Sequence, residues 1–173
     1  MGHRCPGKQL LNGTANDNSE DCMTVNIFRQ KPTSKNEKIP VAVYIHGGAF
    51  NRGSCKFTSS NDMKPKLIYS AMMHNTASMV AWSEKPFIGI SFNYRIGALG
   101  FLPSKLTFDE GIVNLGLHDQ LFLLQWVQDN IEPFGGDKND VTIFGLSAGA
   151  HSVRSNPSSL KAHAEIARLG TIS

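Results

Sequence analysis

The stretch Val141–Val153, VTIFGLSAGAHSV, decides the fold, and the rest of the chain is arranged around it. Val141, Thr142, Ile143 and Phe144 are β-branched or aromatic and form a short apolar run, which predicts a buried strand. Gly145-Leu146-Ser147-Ala148-Gly149 follows at once, and Ala150, Ser152 and Val153 open a helix. Strand, G-x-S-x-G, helix is the pattern of a nucleophile elbow, a tight turn that lifts a serine hydroxyl above a sheet. The serine backbone is strained in such a turn. The residues two before and two after it must be tiny so that strand and helix pass closely. By itself the pentapeptide is a weak signal, because Gly and Ser are common in turns.

A second glycine-rich loop strengthens the reading. Val41–Phe50 is VAVYIHGGAF, in which Val41, Val43 and Ile45 predict a strand and His46-Gly47-Gly48-Ala49 a small-residue loop after it. The loop resembles the HGGG-type loop of lipases and esterases, whose backbone N–H groups form an oxyanion hole with the N–H after the nucleophile. Small residues suit that task because the backbone itself must approach the substrate oxygen.

Length and composition set the bounds. The 173 residues have room for one domain with a real core. The net charge of +3 comes from scattered Lys and Arg without a basic helix or Arg-aromatic cluster, so no nucleic-acid partner is expected. Apolar runs reach about five residues, far below the roughly 18–20 of a transmembrane segment. The start, MGHRCPGKQLL, lacks the apolar core of a signal peptide. No Cys/His cluster has metal-ligand spacing, so neither metal nor cofactor is implied. Cys5 and Cys22 enclose a polar loop and Cys55 stands in a Gly/Ser-rich turn. A Cys5–Cys22 disulfide suits a secreted protein and three thiols suit a cytosolic one; composition does not choose between them. Asn12-Gly13-Thr14 is a glycosylation sequon.

In chain order, Thr24–Phe28 predicts a half-buried strand, and Leu67–Val80 a weakly patterned helix. Phe87–Phe92 predicts a third apolar strand, and Gly97–Pro103 a small-residue loop. Asn114 is a candidate cap for a helix from Leu117, with Leu121, Leu124, Val127 and Ile131 on its apolar face and Phe122, Leu123 and Trp126 widening it. Glu132–Asp137 ends that helix. Strands separated by crossovers indicate an α/β sheet. The strands at 41–45, 87–92 and 141–144 are expected to be parallel and adjacent in chain order.

Four blocks resemble the type B carboxylesterases, the cholinesterase and fungal-lipase group of α/β-hydrolases. Ser19–Ile27, SEDCMTVNI, is similar to the family's S-E-D-C-L-x-L-N-V block, with Met23 for Leu. His46–Phe50 resembles its oxyanion loop, with Ala49 where a third Gly is common. Asn93–Leu102, NYRIGALGFL, is similar to its N-Y-R-x-G-x-x-G-F-L block, and Phe134–Gly149 to its serine signature, with Leu146 where Glu or Gly is frequent. The SEDC and NYR blocks separate the chain from the hormone-sensitive-lipase group, which shares the His-Gly-Gly loop.

The resemblance implies an α/β-hydrolase fold, present here as its N-terminal portion, with a mixed, mostly parallel sheet and flanking helices. It implies Ser147 as the nucleophile of a serine carboxylesterase or lipase, with Gly48, Ala49 and Ala148 as oxyanion donors and His46 and Gly47 supporting the loop. It implies a Cys5–Cys22 disulfide, a small-molecule or lipid ester substrate, and an extracellular location. On this reading residues 1–153 are a partial type B carboxylesterase domain and 154–173 a divergent tail without family match, in which Pro157 interrupts the elbow helix.

The family's acid and histidine lie far downstream of the elbow, so the chain as written is expected to lack both and to be inactive. Its own histidines do not replace them. His46 belongs to the loop, His118 to the preceding helix, His151 points away on the elbow helix, and His163 lies before Glu165, against the Ser–acid–His order. A non-catalytic, truncated or adhesion-type relative is the alternative reading. Without further strands, the outer edge of the elbow strand is expected to be unpaired.

Overall fold

A computed structural model describes residues 2–8, 18–32, 34, 37–55, 75–160 and 168–172, the last five and 156–160 as backbone only. The sequon at Asn12, the first part of the Leu67–Val80 segment and His163 lie outside the described residues.

Five strands form one sheet: β1 (Val25–Arg29), β2 (Ile39–Ile45), β3 (Ile88–Phe92), β4 (Gly136–Leu146) and β5 (Arg168–Ile172). Between them stand helices α1 (Thr76–Trp82), α2 (Gly97–Phe101), α3 (Lys105–Asp109), α4 (Leu115–Asn130) and, after β4, α5 (Ala148–Leu160). The sheet order is β1-β3-β2-β4-β5; β1 runs antiparallel to β3 and the other pairings are parallel. The expected parallel strands are present, but β2 lies between β3 and β4 instead of beside β3 alone. The chain leaves β2 in one direction to reach β3 and crosses back to place β4 on the other side. That reversal is a topological switch point, and α/β sheets bind ligands beyond the carboxyl ends of the strands at such points. It also puts the loop after β2 beside the turn after β4. Strand order 2-3-4 would hold them two strand spacings, about 9.6 Å, apart.

The alternation along the strands assigns the two faces. Val41, Val43, Ile45, Ile88, Ile90, Phe92, Val141 and Ile143 share one buried cluster with Leu123, Leu124, Val127 and Ile131 of the α4 segment and Val153 of α5. On the other face α1 packs on Gly89, where a Cβ would lie 2.8 Å from the Val80 side chain. Tyr44 and Phe144, paired in register, meet with ring centroids 5.3 Å apart and planes tilted by 47°. The side chain of Asn75 caps α1 by accepting from Ser78 N–H.

Four local expectations are corrected. Gly97–Phe101 is a short helix, because Gly97 at φ 60° turns the chain into it. Asn114 stands at the N-cap of α4 but in a left-handed conformation, so its carbonyl, not its side chain, takes the Leu117 and His118 N–H groups. Phe122 is on the outer face of α4 and 72% exposed. Finally, α5 continues through Pro157 to Leu160, and β5 pairs with β4 from Thr142↔Arg168 to Leu146↔Ile172, so the elbow strand is not an edge. A returning backbone segment satisfies that side of β4, which the expectation of an open edge did not foresee.

Cys5 and Cys22 form a disulfide with Cα atoms 5.0 Å apart, and Cys55 is a buried free thiol.

Candidate active site

Register places the site. Ile45 at the end of β2 is level with Gly145 in β4, so residues 46–49 lie alongside 146–149. Ser147 links β4 to α5 with φ 54°, a left-handed conformation that non-glycine residues rarely adopt, and it is exposed. The flanking glycines fit the expected crossing. A Cβ on Gly145 would lie 2.5 Å from the Gly149 carbonyl carbon, and one on Gly149 would collide with the carbonyl of Ile45. Strand, turn and helix touch backbone to backbone there, with no room for a methyl group.

The loop after β2 approaches equally closely. A Cβ on Gly47 would lie 2.5 Å from Leu146 O and 3.2 Å from Ser147 Cβ. Gly48, Ala49 and Phe50 have φ of 121°, 53° and 55°, three consecutive left-handed residues that curl the loop over. The Gly48 carbonyl is consumed by Asn51 and Arg52 N–H. The N–H groups of Gly48, Ala49 and Ala148 donate to no partner among the described residues. Ala148 heads α5, where such N–H groups have no helical partner and carry the positive end of the helix dipole.

His46 supports the loop from behind. Its ring is buried, stacks on Tyr94 at 4.3 Å, and has Nδ1 2.9 Å from Gly47 O. A carbonyl only accepts, so Nδ1 carries the proton. Tyr94 Oη donates to the His46 carbonyl at 2.6 Å. Burial pulls the imidazole pKa down to about 4, against a small upward pull from the Gly47 carbonyl, so the ring is neutral at ordinary pH. No hydrogen bond joins the Ser147 hydroxyl to a histidine among the described residues; His118 and His151 are both exposed. Nor do the described residues contain a metal-holding group of three His, Cys, Asp or Glu.

A supporting layer was not singled out from sequence. Asn93 ties three segments: Nδ2 donates to His3 O and Cys22 O, and Oδ1 accepts from Cys55 N–H. Arg95 pairs with Asp119 through Nε–Oδ2 at 2.8 Å and Nη2–Oδ1 at 2.6 Å, while its backbone N–H also donates to Oδ2. Gln120 and Ser152, both fully buried, are joined by a hydrogen bond. The NYR block was visible as a motif without its roles. Gln120 carried a readable signal: it is a polar residue in step with the apolar stripe at 124, 127 and 131.

Comparison with known proteins decides the family. A profile of the carboxylesterase family matches residues 1–169. The chain belongs to the carboxylesterase family. This carboxylesterase-family chain is 46% identical over 135 residues to secreted lipase 4 of Gibberella zeae, covering 78% of itself and 21% of that lipase. It is 41% identical over 150 residues to lipase 2 of Geotrichum candidum, covering 87% of itself and 24% of the lipase. Among solved structures it resembles a PNB esterase with TM-score 0.67 and 38% identity, covering 88% of itself and 28% of the esterase. The carboxylesterase-family chain therefore spans about a fifth to a quarter of the length of the curated relatives it matches. Its mixed, mostly parallel sheet is part of an α/β-hydrolase fold.

Proposed function

We propose that these residues supply the nucleophile and oxyanion hole of a carboxylic ester hydrolase, with Ser147 as the attacking group. The observation that carries the reading is that the loop after β2 packs against Ser147 at Gly47, while the N–H groups of Gly48, Ala49 and Ala148 beside it have no described partner. Ser147 Oγ attacks the ester carbonyl carbon and passes its proton to a base. The carbonyl oxygen becomes an oxyanion held by those donors, each worth about 10²–10³ in rate. The alcohol leaves with the proton, and water then attacks the acyl-enzyme, releasing the acid and restoring the serine. His46 and Gly47 hold the loop in shape.

The base and its acid partner lie outside the described residues. His46 is buried with Nδ1 committed to Gly47, and no ring of the other described histidines is hydrogen-bonded to the Ser147 hydroxyl; His151 reaches Ser147 only through its backbone N–H, which donates to the Ser147 carbonyl. Relatives named as lipases support small-molecule or lipid esters as substrates. A relative named a secreted lipase and the Cys5–Cys22 disulfide support an extracellular setting.

The test is hydrolysis of p-nitrophenyl butyrate by the 173-residue chain and by any longer product of its gene, each with Ser147→Ala. The longer protein is expected to turn over in a Ser147-dependent way. The 173-residue chain is expected to show only the residual roughly 10³–10⁴-fold acceleration that an oxyanion hole and binding give without a triad. Robust Ser147-dependent turnover by the 173 residues alone would put a base among them. Turnover unaffected by Ser147→Ala would remove the nucleophile.

A further inference from the structure

Asp119 and Gln120 are consecutive on α4, both buried, and they reach in different directions. Asp119 clamps Arg95, next to Tyr94, whose hydroxyl holds the His46 carbonyl at the root of the loop after β2. Gln120 Nε2 donates to Ser152 Oγ at 3.1 Å, and Ser152 Oγ donates to the Ala148 carbonyl at 3.0 Å. A hydroxyl has one proton. Because it goes to Ala148 O, Ser152 can only accept from Gln120, which fixes the amide nitrogen on that side. The polarity of the relay is therefore defined from α4 to the first turn of α5.

That first turn carries strain. Ser147 sits at φ 54°, and Gly149 is pressed against the Ile45 carbonyl. A shift of the start of α5 relative to β2 would be one way to relieve that turn. The Ala148 peptide would move with it, relative to Gly48 and Ala49.

We propose that Gln120, acting through Ser152, is a positioning residue that fixes the Ala148 end of the oxyanion hole relative to the loop held through Asp119 and Arg95. One helix thereby sets the gap between the two halves of the site. The proposal rests on the roles given above to Ser147 and Ala148.

The test compares Gln120→Leu, Gln120→Glu, Ser152→Ala and the double variant Gln120→Leu/Ser152→Ala in the full chain. Amide hydrogen exchange over residues 145–155 needs no turnover and is expected to rise about tenfold in each single variant, with the remainder of α4 unchanged. In a form that hydrolyses p-nitrophenyl butyrate, kcat is expected to fall about 10- to 100-fold with KM within about twofold, because the lost alignment matters to the oxyanion and not to ground-state binding. The double variant should lose no more than the worse single one, since both cut the same relay. Val127→Ala, a fully buried truncation elsewhere on α4, should lower Tm while leaving kcat within about twofold. A drop in Tm with exchange at 145–155 and kcat unchanged would reduce Gln120 to packing and overturn the proposal, as would additive losses in the double variant. Hydrolysis that survives Ser147→Ala would defeat the nucleophile reading instead, and the exchange result would still decide the relay.

Discussion

His46 makes the stability of this site depend on pH, and the size of the effect follows from its surroundings. The ordinary imidazole value is 6.5, and burial beneath the loop and against Tyr94 brings it to about 4 in the folded chain. The folded state thus binds the proton more weakly than the unfolded state. Stability from this group is fully present above 6.5 and is lost as pH falls towards 4, where the folded protein also becomes protonated. Across the whole window the loss is about 3 kcal/mol, and between pH 7 and pH 5 about 2 kcal/mol. His46→Gln keeps a neutral donor for the Gly47 carbonyl without a titrating ring. The assay is urea unfolding from pH 7.5 to 5, followed by tryptophan fluorescence, on parent and variant; the variant subtracts every other titrating group. The parent is expected to lose about 2 kcal/mol more than His46→Gln between pH 7 and pH 5. Equal slopes would mean that His46 takes up its proton without unfolding the loop, and the account of its burial would be wrong.

Three further outcomes are expected. Gly149→Ala should cost more than about 3 kcal/mol and disorder the elbow, read by Tm and near-UV circular dichroism, because its methyl group meets the Ile45 carbonyl and backbone cannot yield as a side chain does; a neutral result would refute the close crossing. Reducing the Cys5–Cys22 bond, which spans 17 residues, should destabilise the chain by about 3 kcal/mol in denaturant titrations. Cys55, buried and with its thiol pushed up to about 12 by desolvation, should resist iodoacetamide near pH 8 until the protein unfolds, as mass spectrometry of labelled peptides would show.

Much of the framework is legible because it rests on local chemistry. The β-branched run at Val141–Phe144 and the glycines around Ser147 are dictated by what a short strand and a tight turn demand. Strand order is not local. Nothing in residues 41–45 or 87–92 says on which side of β2 the chain will return with β4, since that depends on which helices can cover which face. Asn114 misleads for a related reason: its residue type suits a cap, but it stands in a left-handed backbone conformation and its side chain makes no cap hydrogen bond. The polar side chains that hold the site, Asn93, Asp119, Gln120 and Ser152, are meaningful only with partners 24 to 90 positions away. Sequence spacing does not reveal such distant pairs.

The central place of β2 has a consequence in time. Val41 must meet Ile88 on one side and Val141, a hundred positions later, on the other. Closing so long a loop adds little to the equilibrium cost, because that cost grows only with the logarithm of length. It does slow the search, as non-local pairings do. On a ribosome adding about 5–20 residues per second, Val141 emerges roughly 5–20 s after Val41. Until then one edge of the central strand β2 has no partner, and a chaperone has that interval in which to shield it. When β4 arrives, the pairing that ends the exposure also carries Ser147 to the loop after β2. Ser147 and the loop after β2 are thus brought together in one step, before β5 adds to the far side of β4.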